Sequence, residues 1–175
     1  MALEMQSVKL VLHAVDRLSE VVGLLVSVLM PAMVAVLAIE VIARYIFNSP
    51  TIWAYDTAIF MFGYTGLLGG AYALSKKQHI NVDLVYSRLS PRGRAVLDVT
   101  TGLLFFFFMT LVIIYGWDNA IEAIRGGEAT ATLWGPPIGH FKLMVPVGAA
   151  LLFLQGLANW IRSLYLAVTN KELDE

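Results

Sequence analysis

The charged side chains that could do chemistry in this chain lie at the edges of its apolar segments. Glu40 and Arg44 are four residues apart with the acid first, which is the favourable order for an ion pair on a helix. Asp56 follows near the start of the next apolar segment, and a carboxylate at a helix N-terminus is favourable by itself. These residues allow two interpretations, a local ion-pair network that anchors two helices or a structural clamp shared by a family. Both interpretations are structural.

The other residue types argue against an enzyme or a cofactor protein. The sequence has no cysteine, and His13, His79 and His140 all lie outside the most apolar stretches. A membrane cytochrome needs axial histidines on its helices, so haem is not expected. We also find no nucleophile with a neighbouring base, no metal-ligand cluster and no phosphate-binding glycine loop. We therefore expect no catalytic residue, no substrate-binding residue, no metal and no cofactor in this chain.

Two amides, Gln155 and Asn159, are the strongest polar groups within the apolar segments. They could bind a substrate or form hydrogen bonds between helices, and we favour the second interpretation. A carrier needs polar or ionisable groups inside the membrane to bind substrate, sodium or protons. If the protein takes part in transport, its coupling site is therefore expected in another chain.

The elements that must position these residues are four long apolar helices. Four separate stretches of 19 residues contain no Asp, Glu, Lys or Arg. A helix of that length measures about 28 Å, close to the hydrocarbon thickness of a bilayer. Hydrophobic residues make up 58% of the chain and charged residues 14%. The sequence predicts an all-α integral membrane protein, a single domain over residues 1–175. The predicted spans are about residues 21–43, 54–75, 95–117 and 143–165.

The distribution of basic residues predicts the orientation in the membrane. With four spans, both termini lie on one side, and nine of the 12 Lys and Arg residues lie on that side. Because Lys and Arg favour the cytoplasmic side, we expect cytoplasmic termini in a bacterial inner membrane. The first and third loops would then face the periplasm. The net charge of −1 argues against a nucleic-acid partner.

Local signals refine these helices. The first helix is expected to start as an amphipathic segment before it enters the lipid, and Pro31 predicts a bend. Apolar residues within 79–89 recur at helical spacing and predict a short interfacial helix, with nearby basic residues toward phospholipid headgroups. Ser90 and Pro91 predict the start of a long third helix, which Gly126 and Gly127 would end.

A glycine-rich face on the second span has two interpretations. Gly63, Gly66 and Gly70 lie at helical spacing, and small residues let two backbones approach closely in lipid. The face could pack within the chain's own helices, or it could dock another subunit.

Several short segments between about residues 10 and 165 together carry a family resemblance. The similar residues are the run from Glu40 to Pro50 with Arg44, Tyr45 and Asn48, then Trp53 and Asp56, then Gly69 to Ala71, the turn from His79 to Asp83, the run from Leu133 to Pro137 with Trp134, and finally Lys142, Pro146 and Gln155. The family usually has Glu where this chain has Asp56. In order and spacing, these segments resemble the DctQ-like small membrane subunit of tripartite ATP-independent periplasmic (TRAP) transporters.

The resemblance implies a role beside other proteins. A large, DctM-like membrane subunit would carry the substrate and sodium sites, and a periplasmic binding protein would deliver an organic acid. The small subunit would brace the large one, and the residues of the similar segments are its structural or interface candidates. An alternative is a membrane anchor for a respiratory or other enzyme complex, which the missing span histidines weaken. A self-contained small carrier is weakened by the uncharged spans.

Overall fold

Within the part of the chain that the structure describes, five helices provide four candidate membrane spans. The computed structural model describes residues 2–76, 90–170 and 173. The helices are α1 (Ala2–Ser27), α2 (Leu29–Tyr45), α3 (Ala54–Ser75), α4 (Pro91–Gly126) and α5 (Gly139–Thr169). By length and composition, α1 together with α2, and each of α3, α4 and α5, can cross a membrane. The predicted four-span, all-α membrane fold is confirmed, whereas the predicted interfacial helix at 79–89 lies outside the described residues.

The first span is interrupted near its middle. α1 ends at Ser27 and α2 begins at Leu29, so a single residue, Val28, separates them. Pro31 has no backbone N–H to donate to the carbonyl of Ser27, and its ring crowds that carbonyl. Ala32 restores the helical pattern, since its N–H donates to the Val28 carbonyl at 3.3 Å. Pro31 therefore divides the span into two segments, as the sequence suggested.

α4 begins and ends at the residues that the sequence indicated. The Ser90 hydroxyl accepts a hydrogen bond from the Gly93 N–H at 3.2 Å, and Pro91 occupies the first turn. At the other end, Gly127 adopts a left-handed conformation with φ of 62°, which glycine tolerates best. The helix has 36 residues and measures about 54 Å, so it exceeds the hydrocarbon thickness and must tilt or project from the membrane.

α3 and α5 occupy the central positions of the assembly. α4 packs extensively on α5, while α1 and α2 pack on α3. α3 and α5 pack on each other, and Gly148 allows this because a side chain there would collide with the backbone of Leu67. The indole N–H of Trp160 donates to the Val99 carbonyl at 3.0 Å and joins α5 to α4. The spans are therefore held in a fixed order around the α3–α5 contact.

The two ends of the assembly differ and are named here by what they contain. The terminal end comprises the first residues of α1, Lys76, Ser90 and the last turns of α5. The loop end comprises the connections 46–53 and 127–138 with the helix ends beside them. At the terminal end, a buried apolar cluster of Leu12, Ala158 and Leu173 fixes α1 against α5.

Candidate functional site

At the loop end, Glu40 organises the connection between the first two spans. Arg44 donates to Glu40 Oε1 from Nε at 2.9 Å and from a terminal nitrogen at 2.5 Å. The other carboxylate oxygen accepts the backbone N–H of Thr51 at 2.9 Å and also the Thr51 hydroxyl. The Glu40 side chain is mostly covered, whereas that of Arg44 is 56% exposed. Glu40 is therefore the centre of a clamp that folds the connection back onto α2.

The remaining predicted residues of this connection shape its turn. Asn48 has φ of 50°, a left-handed conformation that asparagine tolerates better than most residues, and Ser49 N–H donates to the Ala43 carbonyl at 2.9 Å. Pro50 follows in the same connection, which ends at Trp53, the residue that precedes α3. Tyr45 ends α2 and is exposed. The turn thus carries Tyr45 and Trp53 at the rim of the loop end.

Asp56 binds the third loop rather than Arg44. Its side chain is 3% exposed at the start of α3, and its Oδ2 accepts the Thr132 hydroxyl at 2.5 Å. Thr132 also contacts the Thr130 hydroxyl at 2.8 Å and accepts the Gly135 N–H at 3.3 Å. Of the two partners that the sequence suggested for Arg44, Glu40 is the one observed. The Asp56–Thr132 hydrogen bond instead fastens the third loop to the second span.

The third loop is a small, ordered hairpin. Ile138 N–H donates to the Glu128 carbonyl at 2.9 Å, and Thr130 N–H donates to the Pro136 carbonyl at 3.0 Å. Lys142 closes the base of the hairpin through an ion pair with Glu128 at 2.5 Å. Its tip presents Leu133, which is 92% exposed, beside the half-exposed Trp134. The hairpin therefore holds two large apolar side chains away from the helices.

Gln155 lies in a polar network near the terminal end. It is fully buried, accepts the Ser19 hydroxyl at 2.7 Å and donates to Asp16 at 2.8 Å. Arg162 forms an ion pair with the same Asp16 at 2.6 Å. Asn159 donates to the Leu74 carbonyl at 3.1 Å and so reaches α3. Both amides bond between helices, which is the interpretation that the sequence favoured.

A second ion pair strengthens the terminal end. Lys76, just after α3, binds Glu20 of α1. This hydrogen bond raises the pKa of the Lys76 ammonium above its ordinary value. The partners of Asp16, Ser19 and Glu20 cannot be assigned from the sequence, because they lie more than 50 residues away in the chain.

The three glycines of the predicted face on α3, Gly63, Gly66 and Gly70, do not share one environment. A side chain at Gly63 would collide with the Phe141 ring, and one at Gly70 would touch Leu152, so both positions face α5. A Cβ at Gly66 would meet nothing within 4 Å. Gly63 and Gly70 therefore pack within the chain. Of the three, only Gly66 has open space for a helix of another subunit.

The polar side chains of both ends hold loops and helices in place. Within the described ranges, no three His, Cys, Asp or Glu side chains are grouped so that they could bind a metal. An open depression of about 790 Å³ lies along the end of α4, lined by Trp117, Asp118, Ile121, Glu122, Arg125 and Gly126. The predicted candidates His79 and Asp83 lie outside the described residues. The polar side chains described above therefore act on the protein's own backbone and helices.

Comparison with protein families gives one match that covers most of the chain. Residues 33–165 match the model of the DctQ component of tripartite ATP-independent periplasmic transporters. The match begins within α2 and ends within α5, so it includes both loop-end connections. It omits all of α1.

Curated relatives agree with this match over shorter regions. Over 92 residues the chain is 27% identical to the sialic acid TRAP transporter small permease protein SiaQ of Vibrio cholerae. The matched region covers 53% of this chain and 53% of that protein. Over 94 residues it is 29% identical to the C4-dicarboxylate TRAP transporter small permease protein DctQ of Vibrio cholerae, covering 54% of this chain and 40% of that one. Over 102 residues it is 28% identical to the sialic acid TRAP transporter permease protein SiaT of Haemophilus influenzae, covering 58% of this chain and 16% of that one. The matched region thus spans about half or less of each of these relatives.

Proposed function

Because the chain belongs to the DctQ component family of TRAP transporters, we propose that it scaffolds a larger membrane subunit of such a transporter. The complex would take up an organic acid with sodium as the coupling ion. In this proposal, the large subunit carries the sodium and substrate sites. A periplasmic binding protein delivers the acid, and the small subunit performs no catalysis.

One observation carries the proposal: the two amides of the fourth span bind neighbouring helices of the same chain. Gln155 is bonded to α1, and Asn159 is bonded to α3. The four uncharged stretches contain no Asp, Glu, Lys, Arg or His that could couple transport to an ion in the middle of the membrane. A protein with these properties is suited to fix helix positions rather than to bind a moving ion. The loop-end clamps support the same role, because they give the connections a defined shape.

The comparisons support the choice of partners. The match covers only 16% of the SiaT permease, so SiaT contains a region similar to this chain and a much larger region that this chain lacks. We infer that a separate large membrane subunit takes the place of that larger region. Relatives are named for sialic acid and for C4-dicarboxylates, which are both organic acids, and this supports an organic anion as substrate.

The membrane and the orientation follow from the same proposal. The protein is a multi-pass membrane protein, and we place it in the bacterial inner membrane with its terminal end in the cytoplasm. In the sequence, nine of the 12 Lys and Arg residues fall in segments on the side of the termini, and this supports the orientation. In a chain without native cysteine, single cysteines at Ser7 and Ser49 can be labelled with an impermeant reagent from the periplasm. Labelling at Ser49 alone is expected, and labelling at Ser7 alone would reverse the orientation.

Reconstitution tests the scaffold function. The purified chain, the candidate large subunit and both together are placed in liposomes with a sodium gradient, the binding protein and a radiolabelled organic acid. Uptake is expected only when both membrane subunits are present. Uptake by this chain alone would contradict the proposal, and full uptake by the large subunit alone would show that no scaffold is needed.

A further inference from the structure

The apolar surface of the first span is longer than a bilayer can cover. Large hydrophobic side chains are exposed along this span from Val8 to Ile46. That range of 39 residues measures about 58 Å along a helix, against about 30 Å of hydrocarbon. Tilts reach about 40°, which is insufficient to immerse the whole length. Part of this exposed surface must therefore lie outside the hydrocarbon core.

The contacts of α1 show which part that is. α3 has 22 residues and measures about 33 Å, which matches the bilayer. Glu20 binds Lys76, the residue that follows α3, so Glu20 is level with the membrane boundary at the terminal end. The residues of α1 before Glu20 then lie at the depth of the lipid headgroups or beyond.

This part of α1 has one face on the protein and one turned away from it. Leu12 and Ser19 are buried, and Asp16 binds Arg162 of α5. On the opposite side, exposed residues recur at helical spacing from Leu10 to just past Glu20. We call five of them, Leu10, Ala14, Arg17, Leu18 and Val21, the outward face of α1; the exposed His13 lies at its edge. Leu10 is 68% exposed. Four of the five residues are apolar, which is unfavourable for a surface in water.

The charge of the outward face indicates its ligand. Arg17 lies between Ala14 and Val21 on this face and is exposed. The two acids closest to it in sequence already bind other cations, since Asp16 pairs with Arg162 and Glu20 with Lys76. Among the described residues, no hydrogen bond or ion pair involves the Arg17 side chain. Its guanidinium is available to an external anion, and a guanidinium binds phosphate with paired hydrogen bonds.

We propose that the outward face of α1 binds anionic phospholipid at the terminal end of the protein. The apolar side chains lie against the acyl chains near the headgroups, and Arg17 extends to a headgroup phosphate while its aliphatic stem stays on the apolar surface. The family match begins at residue 33, so this site lies outside the region that defines the family. It is independent of the proposed transport function.

Depth measurements on the full chain test where the face lies. Spin labels are attached to Leu10→Cys and Leu18→Cys in phosphatidylcholine and phosphatidylglycerol nanodiscs, and their collisions with oxygen and with a water-soluble nickel complex are compared. Leu104→Cys, on the exposed apolar part of α4, is the lipid reference, and Glu122→Cys near the loop end is the water reference. Labels on α1 are expected to give collision rates between those of the two references, as at the depth of the headgroups. Collisions like those of the water reference would overturn the proposal.

Substitution of Arg17 tests the headgroup contact. The phosphatidylglycerol concentration that gives half of the maximal thermal stabilisation is measured in mixed phosphatidylcholine micelles. Arg17→Gln is expected to raise this concentration about fivefold, and Arg17→Lys by less, because one basic residue near an anionic surface contributes on that scale. Arg125→Gln, an exposed arginine near the loop end, is the matched control and should leave it unchanged. An Arg17→Gln protein with the same lipid dependence as the unmodified chain would exclude Arg17 as the binding residue.

Discussion

At the terminal end, polar bonds join helices that are far apart in sequence, whereas at the loop end most of them shape the loops themselves. Ser19 and Gln155 are 136 residues apart, but Glu40 and Thr51 are only 11 apart. Long-range bonds restrict the positions of whole helices, and short-range bonds restrict the path of one connection. The terminal end therefore determines how the spans are arranged, and the loop end determines what surface they present.

The exposed residues of the two ends agree with this division. The loop end presents large apolar side chains at Tyr45, Phe47, Tyr55 and Leu133. The network around Gln155 is instead enclosed between α1, α3 and α5. Substitutions in that network should lower the stability of the chain, and substitutions at the loop end should mainly alter contacts with other molecules.

The largest effect is expected for Asp16→Ala. It removes the Asp16 carboxylate from the partly buried Arg162 and one acceptor from Gln155. Hydrogen bonds to charged groups contribute about 1.5–3 kcal/mol, so we expect a loss of about 2–3 kcal/mol in the free energy of unfolding. Thermal unfolding in detergent measures it, with Asp118→Ala on an exposed turn of α4 as the control. Equal stability of the two variants would remove the distinction between the two ends.

An intermediate effect is expected for Thr132→Val, because the Asp56 carboxylate is left buried without this donor. The cost should be about 1–2 kcal/mol. The change should also loosen the 127–138 hairpin, which limited proteolysis detects as faster cleavage. Thr110→Val is the matched control, since the Thr110 hydroxyl bonds only within its own helix, to the Phe106 carbonyl. Unchanged cleavage would mean that the hairpin is held by its own backbone bonds.

The structure bears out the sequence prediction best where the signal is local. Four spans, the interruption near Pro31, the Ser90 cap, the Gly127 end and the Glu40–Arg44 pair all depend on residues close in sequence. The Asp56–Thr132 and Asp16–Arg162 partners could not be assigned, because any of several spans could have supplied them. The close approach of α3 and α5 likewise depends on Gly148, which has no distinguishing pattern, rather than on Gly66.

A smaller effect is expected for the Glu40–Arg44 pair. Arg44 is largely exposed, and exposed ion pairs contribute little to stability. A double-mutant cycle with Glu40→Gln and Arg44→Met should give a small coupling, below that of the Asp16–Arg162 pair. The cycle of Arg44→Met with Asp56→Asn should be additive, since Asp56 binds Thr132 instead. Coupling in the second cycle would indicate that the Glu40 clamp and the Asp56–Thr132 hydrogen bond depend on each other.

The smallest effect on the chain itself is expected for Gly66→Leu. A Cβ there meets no neighbouring atom within 4 Å, whereas a Cβ at Gly70 already touches Leu152 of α5 at 3.4 Å. Gly66→Leu should therefore insert and unfold like the unmodified chain, so any loss of co-purified large subunit reports directly on the interface. We expect such a loss, because a leucine would block close approach of a partner helix at this point. Full recovery of the partner would move the interface to another surface of the spans. Reduced stability of Gly66→Leu would instead mean that Gly66 packs against another part of this chain, as Gly70 does.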